Sequence, residues 1–126
     1  SFDESLELAD IITFHNKLSA QSKYMINSES ISKMKDSAVV INCARGGIVN
    51  ESDLKEAIQN KKIYGYGVDV YENEPDLKSI FTGMNNVVMT PHIGASTKEA
   101  QEKVAKLIAE QIVDYLLHDK ISNQVK

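Results

Sequence analysis

The stretch AVVINCARGGIVNESDLKEAIQNKK (38–62) reads as a strand, a glycine turn and a capped helix in immediate succession. Its first six residues (38–43) are apolar nearly throughout, with Val39, Val40 and Ile41 side by side. A parallel strand buried on both faces reads this way, whereas a half-exposed strand alternates. Arg45 is followed at once by Gly46 and Gly47, which end the run. Asn50 is then a good helix cap, and Asp53 stands three residues on, placed to answer it.

Three more β-rich runs flank this unit: DIITFH (10–15), YGYGVDV (64–70) and NVVMTP (86–91). Helical patterns lie between and after them. SESISKMK follows Asn27, another capping residue. The long segment 96–120 opens with a Ser96 to Glu99 capping box. Its Ala100, Val104, Leu107, Ile108, Ile112, Tyr115 and Leu116 recur at helical spacing, which predicts one buried stripe. Strands alternating with helices predict an α/β fold, a parallel sheet of about four strands with flanking helices. The loop from Glu72 to Met84 is the long irregular stretch, of a kind often functional in compact domains. The tail ISNQVK reads as an exit from the domain.

The chain of 126 residues has room for one domain with a real core. Its net charge of −4 comes from acids and bases mixed along the sequence, so there is no basic stripe for nucleic acid and no polybasic membrane patch. No run approaches the roughly 18 consecutive apolar residues of a membrane span. Cys43 stands alone, which excludes an internal disulfide and a cysteine zinc cluster and fits a reducing, cytoplasmic setting. No metal site is expected. The chain begins at Ser1, not at methionine, and is expected to be a piece of a longer protein.

In sheets of this kind ligands bind beyond the carboxyl ends of the strands. The first run ends at His15, the second at Arg45 with its glycines, the third at Asp69 with Glu74 close by, and the fourth at His92. Arginine offers a planar fork of donors suited to a carboxylate and its adjacent carbonyl oxygen. Glycines let backbone come close to a ligand. Histidine gives or takes a proton near neutrality, and a carboxylate beside it stabilises the imidazolium. Each residue alone has a plainer reading: Arg45 as a surface or capping residue, Asp69 as a loop hydrogen-bonder, Glu74 as a solvated turn residue, His92 as structural. Cys43 reads as a small core residue, His15 as a backbone contributor and His118 as exposed. The joint placement of four such side chains at successive tips points to proton transfer coupled to chemistry at a 2-oxo or 2-hydroxy acid.

The blocks ADIITFH, MKDSAVVINCARGGIVNESDL, YGYGVDVYENEP and NVVMTPHIGASTKEAQ, in this order and spacing, resemble the NAD-dependent D-2-hydroxyacid dehydrogenases over essentially the whole chain. Within that family HIGASTKEAQEKVA is most similar to the D-3-phosphoglycerate dehydrogenase branch, which opens serine synthesis, with glyoxylate/hydroxypyruvate reductases close behind. The resemblance implies that His92 is the acid/base residue, Glu74 its partner carboxylate and Arg45 the substrate-binding arginine. It implies that Asp69 contacts the nicotinamide end of NAD. His15, Cys43, Ala44, Arg45, His92, Gly94 and Ala95 are implied along the cofactor as well. The implied substrate is a small 2-hydroxy or 2-oxo acid, and the implied assembly a homo-oligomer.

Two departures from the family pattern carry expectations. Lys17 stands where members usually have proline, which predicts a small change in cofactor grip. The Gly-rich turn G-x-G-x-x-G is nowhere in the 126 residues, and neither is the acidic residue that reads the adenine-side ribose. The chain is therefore expected to be the C-terminal half of a partial NAD-binding Rossmann domain, with 96–120 as the exit helix. Two readings outside this chemistry stay open: an NAD-sensing corepressor-like protein and a generic flavodoxin-like or receiver-type domain.

Overall fold

A computed structural model describes residues 1–74 and 79–124 of the chain. The order is α1 (Phe2–Leu8), β1 (Ile11–Phe14), α2 (Ser28–Lys33), β2 (Val39–Asn42), α3 (Glu51–Gln59), β3 (Gly65–Val68), β4 (Val87–Met89) and α4 (Lys98–His118). The strands form one parallel sheet in the order β1-β2-β3-β4. Their last paired row is Phe14, Asn42, Val68 and Met89. This is a partial Rossmann-like α/β fold, and each expected strand lies inside the run that predicted it. The chain divides into two units, Ser1–His92 with the sheet and the first three helices, and Ile93–Lys126 with α4.

The sheet is covered on one face among the described residues, where the apolar runs predicted two. Phe14, Val40, Tyr66 and Val68 share a core with Leu6 of α1, Ile31 of α2 and Leu54 and Ile58 of α3. Phe81 joins them, its ring 5.2 Å from that of Tyr66. Side chains alternate along a strand, so the intervening residues face the other way. Val39, Ile41, Gly67 and Val88 line an open groove of about 600 Å³ on that side. Val88 is 71% exposed there.

The caps follow the sequence reading in part. Asn27 and Ser30 form a reciprocal capping box at α2. The Asn50 side chain accepts from the Asp53 N–H at 3.2 Å. The Asp53 carboxylate does not answer it; it accepts from the Ser28 N–H at 2.8 Å, tying the start of α3 to the start of α2. α1, which the periodicity did not reveal, is closed by a Ser1–Glu4 box. The cap of α4 is Thr97, not Ser96, its hydroxyl accepting from the Ala100 N–H.

The stripe on α4 is not buried. Val104, Leu107, Ile108, Ile112, Tyr115 and Leu116 are all exposed, because α4 is the sole described helix or strand of its unit. The middle of the Glu72–Met84 loop, from Pro75 to Lys78, lies outside the described residues. No described helix is long and apolar enough to cross a membrane.

Candidate active site

The site begins at the last paired row of the sheet. Asn42, the last residue of β2, is buried, and its amide donates to the Arg45 carbonyl at 3.0 Å. Its carbonyl oxygen accepts from the Ala44 N–H at 3.2 Å. A buried amide satisfied from both ends fixes the turn that presents Arg45. The Arg45 side chain is exposed, with Nη1 donating to the Ala44 carbonyl at 2.6 Å.

Gly46 is needed for packing against the chain itself, a role the sequence did not suggest. A Cβ at that position would lie 1.9 Å from the Tyr71 carbonyl oxygen. Gly47 does have the left-handed backbone that favours glycine, at φ +80°. The Arg45 turn therefore lies directly against the exit of β3.

From that exit Tyr71 donates its backbone N–H to Glu74 Oε1 at 2.8 Å. The other carboxylate oxygen of Glu74 meets His92 Nδ1 at 2.6 Å. These contacts, the Tyr71 N–H first and the imidazole next, hold the Glu74 carboxyl below the usual carboxylate range. His92 follows Pro91 and has a left-handed backbone, φ 52°, uncommon for a residue with a Cβ and found where surroundings impose it. Asp69, buried at the end of β3, accepts from the Thr90 hydroxyl at 2.5 Å. The Tyr71 hydroxyl donates to the Thr90 carbonyl at 2.7 Å.

Behind these residues Glu51 and Glu72 exchange hydrogen bonds. The Glu72 N–H donates to Glu51 Oε1 at 3.0 Å and the Glu51 N–H to Glu72 Oε1 at 3.2 Å. The Tyr24 hydroxyl donates to Glu72 Oε2 at 3.2 Å. Burial pushes the Glu51 carboxyl above its usual range.

Arg45, Glu74 and His92 thus line one pocket of about 260 Å³, together with Leu18, Gly46 and Tyr71. Asp69 sits at the neighbouring tip. His15, exposed beyond β1, is hydrogen-bonded through Nε2 to Thr13 Oγ1 at 3.0 Å. Ala44 is buried, while Cys43, expected in the core, is exposed and lines the open groove. The reason is parity: Cys43 falls on the uncovered side of β2, two residues after Ile41. Gly94 and Ala95 belong to the second unit, where the Ala95 carbonyl accepts from Gln101 Nε2 at 2.5 Å. No cluster of metal-ligating side chains occurs among the described residues.

Sequence reasoning missed Asn42, Tyr71, Thr90 and Leu18. The buried amide closing β2 had a signal, a polar residue at a core-facing strand position. Leu18 and Thr90 had none.

Residues 1–94 match the family of D-isomer specific 2-hydroxyacid dehydrogenases, NAD binding domain. The chain belongs to that family. It is 44% identical over 115 residues to a D-3-phosphoglycerate dehydrogenase of Bacillus subtilis, covering 91% of this chain and 22% of that one. It is 42% identical over 113 residues to a hydroxypyruvate reductase of Thermotoga maritima, covering 87% and 37%. A crystal structure of a glyoxylate reductase from Paecilomyes thermophila superposes with a TM-score of 0.88 at 32% identity, covering 99% of this chain and 38% of that one. The dehydrogenase-family chain therefore spans well under half the length of these relatives.

The residues present fit the nicotinamide end of NAD. A buried carboxylate, Asp69, lies at one strand tip beside the backbone of Cys43 and Ala44 at the next, and carboxylate and carbonyl oxygens are the acceptors that a carboxamide NH2 takes. The pyrophosphate end needs the amides of a Gly-rich turn, which these 126 residues do not contain.

Proposed function

We propose that the whole protein is an NAD-dependent oxidoreductase acting between a D-2-hydroxy acid and its 2-oxo acid, with 3-phosphoglycerate and 3-phosphohydroxypyruvate as the pair. The observation that carries this reading is the single pocket lined by Arg45, Glu74 and His92, with the histidine held at 2.6 Å by the carboxylate. NAD, when bound, supplies or accepts the hydride. Arg45 binds the substrate carboxylate and draws electron density from the carbonyl. His92 uses Nδ1 on Glu74, so Nε2 is the nitrogen that hands a proton to the substrate oxygen on reduction and takes it back on oxidation. Glu74 orients the ring and stabilises its charged form. Asp69, with the backbone of Cys43 and Ala44, His15, Gly94 and Ala95, attends the nicotinamide and its ribose.

The similarity to the Bacillus subtilis enzyme supports the phosphorylated substrate, and the nearly equal similarity to the Thermotoga maritima reductase keeps hydroxypyruvate as the second reading. We further propose that residues 1–126 are the C-terminal half of the dinucleotide-binding domain, in a cytoplasmic homo-oligomer. The test is NADH oxidation by the full-length protein with phosphohydroxypyruvate, hydroxypyruvate, glyoxylate and pyruvate, with His92→Ala as the control. Preference for the phosphorylated acid, lost in the variant, is the expected result. Preference for an unphosphorylated acid moves the protein to a sister reductase. NADH binding without turnover of any acid sinks the enzymatic reading in favour of the corepressor-like one.

A further inference from the structure

Tyr71 lies three residues past the end of β3 and is only 8% exposed. Three of its groups each touch a different segment of the site. Its N–H donates to Glu74 Oε1 at 2.8 Å. Its carbonyl oxygen occupies the space left by the missing side chain of Gly46, next to Arg45. Its hydroxyl donates to the Thr90 carbonyl at 2.7 Å.

The third contact reaches His92 by a short, stiff route. Thr90 is the first residue beyond β4, and its N–H donates to the Val68 carbonyl at 2.9 Å, extending the ladder by one step. Its hydroxyl donates to Asp69. With the Tyr71 hydroxyl on its carbonyl, Thr90 is held at N–H, side chain and C=O together. Pro91 follows, with a fixed φ and no N–H of its own. Next comes His92 in its left-handed conformation, φ 52°. A histidine keeps such a backbone only where its neighbours over-determine it, and the Thr90 carbonyl is the last fixed point before the proline. Burial, with the nearby Asp69 carboxylate adding to it, raises the phenol above its ordinary range, so the hydroxyl stays a proton donor through neutral pH.

We infer that Tyr71 is a positioning residue for the acid–base pair: its hydroxyl, acting through the Thr90 carbonyl, sets His92 against Glu74, while its backbone sets Glu74 and the Arg45 turn. This rests on the reading above in which His92 and Glu74 carry the proton chemistry. Tyr71 touches no reacting atom in this assignment. Phenylalanine at the position keeps the buried ring and both backbone contacts and removes the hydroxyl alone, so it separates positioning from simple core filling.

The deciding experiment compares Tyr71→Phe with wild type in the full-length protein, by two readouts. The first is the rate at which diethyl pyrocarbonate acylates His92, followed by mass spectrometry of its peptide, which needs no turnover. A ring released more often from Glu74 is expected to react about threefold faster in the variant. An unchanged rate overturns the inference, whatever the activity. The second readout is steady-state kinetics, where misplacing a proton donor should lower kcat roughly 5- to 10-fold with KM nearly unchanged. A variant with wild-type kcat overturns the inference too, and a variant that loses only thermal stability does the same. If wild type turns over no 2-oxo acid, the functional reading fails separately, and the acylation rates still decide the role of Tyr71.

Discussion

Glu74 accepts one hydrogen bond from backbone and one from the His92 imidazole, and both favour its ionised form. Its folded-state carboxyl therefore titrates below the unfolded value, about 4.3. The contribution to stability is present above that value and is lost as pH falls through the lowered one. Glu74→Gln is expected to flatten the acid limb of melting temperature against pH, read by circular dichroism between about pH 3 and 6. A Glu74→Gln limb as steep as wild type would assign acid unfolding to other carboxylates. Gly46 gives a sharper case, since the Cβ of alanine would meet the Tyr71 carbonyl at 1.9 Å. Backbone cannot swing aside as a side-chain end can, so Gly46→Ala should cost about 1–3 kcal/mol, measured by urea unfolding of the full-length protein. Sequence reading singled out Arg45, Glu74 and His92 because their side-chain chemistry is distinctive, and the structure brings the three to one pocket. It did not reveal the packing role of Gly46, because a glycine records that space is needed, not that the Tyr71 carbonyl fills it.

At the scale of elements, the strands were legible because four apolar runs alternate with helical patterns, a period that survives without any partner. The capping polarity was legible at Asn27 and Asn50, where a short side chain bonds its own helix. It failed at Asp53, whose partner is the Ser28 N–H, 25 residues away. Asp53→Ala should strip a first-turn donor of α2 of its acceptor and cost about 1 kcal/mol. A urea midpoint equal to wild type would show water replacing the carboxylate at no cost. The failure at α4 has another cause: periodicity reports which face of a helix is apolar, not whether anything covers it. Val104, Leu107 and Ile108 satisfy the pattern and remain exposed.

At the scale of the molecule, the proposed chemistry and the cofactor grip are unequally represented in the described chain. The tips that carry Arg45, Asp69 and His92 are present, but no G-x-G-x-x-G turn occurs in the 126 residues, and such a turn supplies most of the anchoring of a dinucleotide. Calorimetric titration of the 126-residue chain with NADH is expected to show no saturable heat in the micromolar range. A clear micromolar isotherm would mean that the nicotinamide end alone grips the cofactor.

The last paired row of the sheet runs straight through Phe14, Asn42, Val68 and Met89, and His15, Arg45, Asp69 and His92 each follow that row within three residues. Chain length inside the strands is thus a ruler for the proposed site. A single-codon insertion in any strand would flip its side chains to the opposite face and move one tip against its three fixed neighbours. Descendants of this gene should accordingly gain and lose codons between the strands, and keep the count within them.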